Sequence, residues 1–85
     1  MQIDPQELKQ ARDRLVRAQG QIGGIVRMLD EGRDCTDLLT QLAAATNALH
    51  RAGFAIISTG MAMCTDDETG QANRAKLEKA FLSLV

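Results

Sequence analysis

From Leu8 onward the apolar residues return at steps of three and four without a miss: Leu8, Ala11, Leu15, Ala18, Ile22, Ile25 and Leu29. Such a seam is the mark of an α-helix with one apolar stripe, and a stripe this long needs another helix to cover it. The opening DPQE supplies the start. Asp4 serves as N-cap, Pro5 sits in the first turn where its missing N–H is harmless, and Glu7 completes a variant of the capping box. The spacing predicts a helix from there to about Asp30, stopped by Gly32. Gly20, Gly23 and Gly24 fall inside it, each costing about 1 kcal/mol relative to alanine. Either another backbone comes close there or the helix bends.

A second helix is expected after Asp34, running through Leu38, Leu42, Ala45, Leu49, Ala52 and Ile56 and reaching toward Cys64. Much of its circumference is apolar or small, so it should pack against more than one neighbour. TDDETG at 65–70 interrupts the pattern, and 71–85 read as a short third helix with Leu77, Phe81 and Leu84 inward. With no repeats and no strand-like alternation, the expectation is an all-α chain of three helices forming one domain, 1–85. Composition agrees: 45% of residues are hydrophobic, yet only two are aromatic, so the core must come from Leu, Ile, Val, Ala and Met. A helical chain of 85 residues is marginal by itself, and association is the usual remedy.

No apolar run approaches the roughly 20 residues that span a bilayer, and MQIDPQELKQ lacks the apolar core of a signal peptide. The expected location is the cytosol, where two cysteines point to metal, redox or catalytic chemistry more than to a permanent disulfide. A net charge of −1 excludes a wholly basic nucleic-acid binder. The distribution is uneven, however. Lys9, Arg12, Arg14, Arg17, Arg27 and Arg33 crowd the first 33 residues, while Asp66, Asp67 and Glu68 cluster later. That leaves room for a local positive face.

The two thiols pose a geometric problem. With Asp34 as N-cap, Cys35 opens the second helix, where unpaired N–H groups and the helix dipole favour a thiolate. Cys64 lies 29 positions further on, about 43 Å along a helix, whereas a disulfide needs Cα atoms within about 7 Å. The two cannot meet within one chain. Twenty-nine residues is nevertheless close to eight full turns, so both thiols face nearly the same side. A two-fold, antiparallel pairing of this helix with its copy, centred near Leu49 and His50, sets Cys35 of one chain beside Cys64 of the other. The seam would pair Leu42 with Ile57, Leu38 with Met61 and Ala45 with Phe54.

The stretch from Arg14 to Leu49, RLVRAQGQIGGIVRMLDEGRDCTDLLTQLAAATNAL, resembles the CsoR/RcnR family of bacterial transcriptional repressors, and the spacing to Cys64 fits as well. The resemblance implies an all-α homodimer in an antiparallel four-helix bundle, assembling further into a disc-shaped tetramer. It implies binding of operator DNA without a helix-turn-helix, and release when the cysteine site is loaded. Arg14 and Arg51 fall at the family's DNA-contacting positions, with Arg17 and Gln21 as helpers. No enzymatic activity is expected: a thiol enzyme needs a base and an anion cradle beside the thiol, and the chain offers neither a nearby histidine nor a phosphate-type loop.

Departures from the family pattern choose among its branches. Copper-sensing members add a histidine four residues before the second cysteine, and here that position is Gly60; their tyrosine before the first cysteine is here Asp34. His50, the one histidine, is fourteen residues before Cys64 and too far along the helix to join it. Nickel and cobalt sensors need more histidines, and the formaldehyde-sensing branch has a proline where Gln2 stands. A pair of cysteines without histidine looks like the CstR branch, which senses reactive sulfur species and needs no cofactor. In that reading Cys35 attacks a persulfide, Cys64 of the second copy resolves it into a di-, tri- or tetrasulfide, and Gly60 leaves room for an added sulfur. The alternative is a Cu(I)-responsive repressor that uses the two thiolates, with thioether help from Met61 or Met63.

Overall fold

The computed structural model describes residues 1–85. Three α-helices follow a short 3₁₀ turn at Pro5–Leu8: α1 (Lys9–Asp30), α2 (Cys35–Ala62) and α3 (Glu68–Leu84). The expected all-α chain of three helices is what forms. The Asp4 side chain accepts from the Gln6 N–H at 2.8 Å, so the cap is made, although the first turn behind Pro5 is 3₁₀ rather than α. α1 ends where Gly32 takes a φ of +68°, a left-handed conformation that glycine adopts without steric cost. Asp34 caps α2 by accepting from the Thr36 N–H at 3.0 Å.

Two boundaries differ from expectation. α2 stops at Ala62, with Met63 as its C-cap, so Cys64 stands just past the helix and not on it. The chain tightens there, with Met63 N–H bonding to the Gly60 carbonyl and Cys64 N–H to that of Met61, both at 3.2 Å. α3 begins at Glu68 rather than at 71. TDDETG is less a breaker than a start signal: Asp67 caps α3, accepting from the Gly70 N–H at 2.9 Å and from the Thr65 hydroxyl. These two hydrogen bonds, the Thr65 one foremost, hold the Asp67 carboxyl below its ordinary pKa, so the cap is fully charged at neutral pH.

α1 and α2 form an antiparallel hairpin, and α3 folds back along the C-terminal half of α2. The long seam read from α1 divides in two. Ala11 and Ala18 are buried and Ile25 half-buried, whereas Leu15, Ile22 and Leu29 are exposed. α2 divides the same way, with Ala45 and Ala52 buried and Leu42, Leu49 and Ile56 exposed. Ala45, packed inside its own chain at 1% exposure, is not free to meet Phe54 of a copy, which removes one of the three expected seam pairs. The glycines of α1 produce no break in the helix. A side chain at Gly20 would meet nothing, and those at Gly23 and Gly24 would meet only the Arg27 guanidinium, so no backbone of this chain comes close there.

Six residues are buried, and all are alanine or glycine. The molecule measures 55 × 25 × 13 Å with a radius of gyration of 16.4 Å, against roughly 12 Å for a compact chain of this length. Its surface of 6385 Å² exceeds by roughly 1,500 Å² what a monomeric protein of its mass exposes. No helix is long and apolar enough to cross a membrane.

Candidate nucleic-acid interface and thiol sites

Close packing along the alanine row opens a groove beside it. Ala11, Ala18, Ala45 and Ala52 let α1 and α2 approach, and the residues one step round each helix line the edge of the contact. Arg14, Arg17 and Gln21 from α1 and Ala44, Asn47, Ala48 and Arg51 from α2 enclose about 390 Å³. All four residues proposed from sequence for DNA contact, Arg14, Arg17, Gln21 and Arg51, are thus brought to one place. The Arg14 guanidinium donates to the Arg51 carbonyl at 3.4 Å, which ties the two helices together at the groove. No carboxylate lines it, so three guanidinium groups meet at its walls. The Gln21 Oε1 atom is buried with no hydrogen-bond partner. Asn47 is the groove residue that the sequence reading missed; the available signal was its place one turn before Arg51, on the same helix face.

The cysteines lie at opposite ends of α2. Cys35 is exposed at the first residue of the helix, beside the Asp34 cap. Cys64 is half-buried; its thiol donates to the Gly60 carbonyl at 3.3 Å, and its own carbonyl accepts from the Arg74 guanidinium at 3.4 Å. Arg74 also pairs with Asp66 at 3.6 Å. Within one chain no three His, Cys, Asp or Glu side chains gather in a way that could hold a metal ion. The sequence reading of Gly60 as space for an added sulfur meets a physical objection. A Cβ at Gly60 would lie 3.1 and 3.3 Å from the two Leu77 methyl carbons and 3.7 Å from Ile3 Cδ1. The space belongs to α3 packing.

His50 and Arg51 also border a second, apolar groove of about 290 Å³, completed by Arg14, Phe54, Phe81, Leu84 and Val85. Arg14 and Arg51 therefore stand between a basic groove on one side and an apolar one on the other.

Residues 7–84 match the model of the metal-sensitive transcriptional repressor family. The chain belongs to that family. It is 39% identical over 74 residues to the copper-sensing transcriptional repressor RicR of Mycobacterium tuberculosis, covering 84% of this chain and 77% of that protein. It is 37% identical over 60 residues to the uncharacterized protein YrkD of Bacillus subtilis, covering 68% of this chain and 95% of YrkD. To the copper-sensing transcriptional repressor CsoR of Mycobacterium ulcerans it is 35% identical over 66 residues, 73% of this chain and 56% of that protein. No solved structure matches the chain at comparable significance. Family membership makes the chain a transcriptional repressor by kinship, and the resemblance drawn from the Arg14–Leu49 stretch holds at that level.

Proposed function

We propose that this chain is a dimeric DNA-binding repressor whose inducer joins Cys35 of one copy to Cys64 of the other, and that the inducer is Cu(I). The observation that carries the inducer is kinship: two of the relatives above are copper-sensing repressors. The donor set fits, because two soft thiolates suit Cu(I) and thioethers can assist; Met61 and Met63 lie within three residues of Cys64. When bound, Cu(I) would supply a link between two sulfurs that no single chain can bring together.

The dimer rests on the unburied surface. Two copies that each hid the excess of roughly 1,500 Å² would bury roughly 3,000 Å² in total, the range of permanent dimers. Leu42, Leu49 and Ile56 supply the apolar row for an antiparallel four-helix bundle, and a tetramer follows from the family resemblance. In this assembly Arg14, Arg17 and Arg51, aided by Gln21 and Asn47, hold DNA through its phosphates. The groove lies between helices and is lined by three guanidinium groups with no carboxylate, a lining suited to phosphate oxygens.

A second reading, release by reactive sulfur, is favoured by one observation: Gly60 brings no third ligand to Cys64. There the Cys35 thiolate takes the outer sulfur of an organic persulfide and expels the organic thiolate. Cys64 of the second copy then displaces hydrosulfide to close a disulfide, and polysulfide donors leave extra sulfur in the bridge.

The experiment that separates these readings starts from reduced protein bound to a labelled duplex selected from a random pool. Cu(I) or an organic persulfide is added without oxygen, and DNA release is followed alongside non-reducing intact mass. Tight Cu(I) binding that releases DNA and is lost in both Cys35→Ser and Cys64→Ser supports the copper reading. Persulfide-induced covalent dimer with DNA release, while Cu(I) leaves the complex intact, replaces it with the sulfur reading. Failure of the reduced protein to select any duplex defeats both.

A further inference from the structure

α3 touches the cysteine turn and lines the apolar groove that shares Arg14 and Arg51 with the basic one, and its packing on α2 has a fixed register. At its N-terminal end Arg74 holds the Cys64 carbonyl at 3.4 Å and Asp66 at 3.6 Å. In the middle Leu77 rests over Gly60. Near the far end Leu84 rests over Gly53, so closely that a Cβ there would overlap Leu84 Cδ2. The two leucines are one heptad apart, as are the two glycines, so each methyl cluster drops into a notch where α2 has no side chain. Beyond the second notch, Phe81, Leu84 and Val85 form one side of the apolar groove whose other side includes Arg14 and Arg51.

We propose that α3 is a lever that carries the state of Cys64 to the arginine groove, with Arg74 as its positioning residue. The proposal rests, for its effect on DNA, on the repressor reading above. A group joined to Cys64 Sγ takes the thiol away from the Gly60 carbonyl and displaces the tight turn at 63–66. The Cys64 carbonyl moves with the turn, and Arg74, bonded to it, draws the start of α3 along. Packed helices answer such a push by sliding as units, because close-packed side chains do not absorb it locally. Leu84 then shifts in its notch, and the apolar wall behind Arg14 and Arg51 shifts with it. Two arginines held for a phosphate lose that spacing, although neither lies near a thiol in sequence.

The test uses the full chain as a Cys35→Ser variant, so that Cys64 is the one reactive thiol, alkylated with N-ethylmaleimide. Hydrogen–deuterium exchange is compared before and after alkylation. Faster exchange is expected through 77–85 as well as around Cys64, and in the added Arg74→Ala variant the response should stay near 61–67. A response confined to 61–67 with Arg74 intact would overturn the lever. The DNA arm uses the selected duplex and the inducer that releases it from the native sequence. Arg74→Ala should leave affinity in the reduced state within about twofold and shrink the ratio of loaded to reduced Kd by roughly tenfold, well inside the usual span of coupling factors. Gly53→Ala, which props up Leu84 from below, should weaken DNA binding without any modification at Cys64. Unchanged ratios in Arg74→Ala would overturn the proposal. If the native sequence binds no duplex, the repressor reading fails while the exchange experiment still decides the lever.

Discussion

The inner and outer rows of the α1–α2 hairpin use the same heptad spacing for opposite ends. Inside, Ala11, Ala18, Ala45 and Ala52 bring two backbones together and hide almost no apolar mass. Outside, Leu15, Ile22, Leu42, Leu49 and Ile56 carry the mass and leave between 37% and 50% of it exposed. A third row, with Arg14 and Gln21 on α1 facing Asn47 and Arg51 on α2, borders the alanine contact and makes the basic groove. The comparison teaches that bulk and closeness are separable. Small side chains set how near the helices come and hence the shape of the arginine groove. Large ones stay at the surface, where the proposed dimer would cover them.

Breaking the outer row should have the largest effect. Leu49→Asp places a carboxylate at the proposed two-fold axis, where it faces its own copy, and burying an unpaired charge costs several kcal/mol. Sedimentation at micromolar concentration should then show monomer, and DNA binding should vanish with it; an unchanged dimer would mean that the row serves some other contact. The inner row answers differently. Ala52 is fully buried, and Ala52→Leu forces the hairpin apart at a cost of about 1–3 kcal/mol. Thermal unfolding should fall by on the order of 10 °C, with the groove distorted even where dimer persists. The third row sets the smallest change. Arg14→Ala and Arg51→Ala should each lower the slope of log affinity against log salt by about 1 if each contacts a phosphate. Asn47→Ala, which removes no charge, should weaken binding with the slope unchanged.

Much of this was legible from the chain because it depends on local rules. Asp34 before Cys35 and Gly32 after the first seam mark helix ends through capping and left-handed backbone, which neighbours in sequence determine. The four groove residues came from resemblance, and the hairpin brings them together. What stayed hidden depended on contacts distant in sequence. A seam of threes and fours does not say which half a single chain covers, so Ala45 was assigned to the wrong partner. Gly53 and Gly60 show only that a side chain is missing; Leu84 and Leu77, which fill the space, are set by how α3 folds back. Asp67 is the local exception: its cap bonds join Thr65, Asp67 and Gly70 in a turn that precedes any apolar rhythm, so TDDETG reads as a break.

The alanine-and-glycine interior has a consequence for how such a chain lives in a cell. With no large side chain fully buried, a newly made molecule of the proposed dimer has little to gain by folding before it meets its copy. In that dimer folding and association would become one concentration-dependent event, and stability would become a property of abundance. At low copy number the chain would spend part of its time open to proteases. Its dose would then decide how much repressor exists as well as how often it finds DNA.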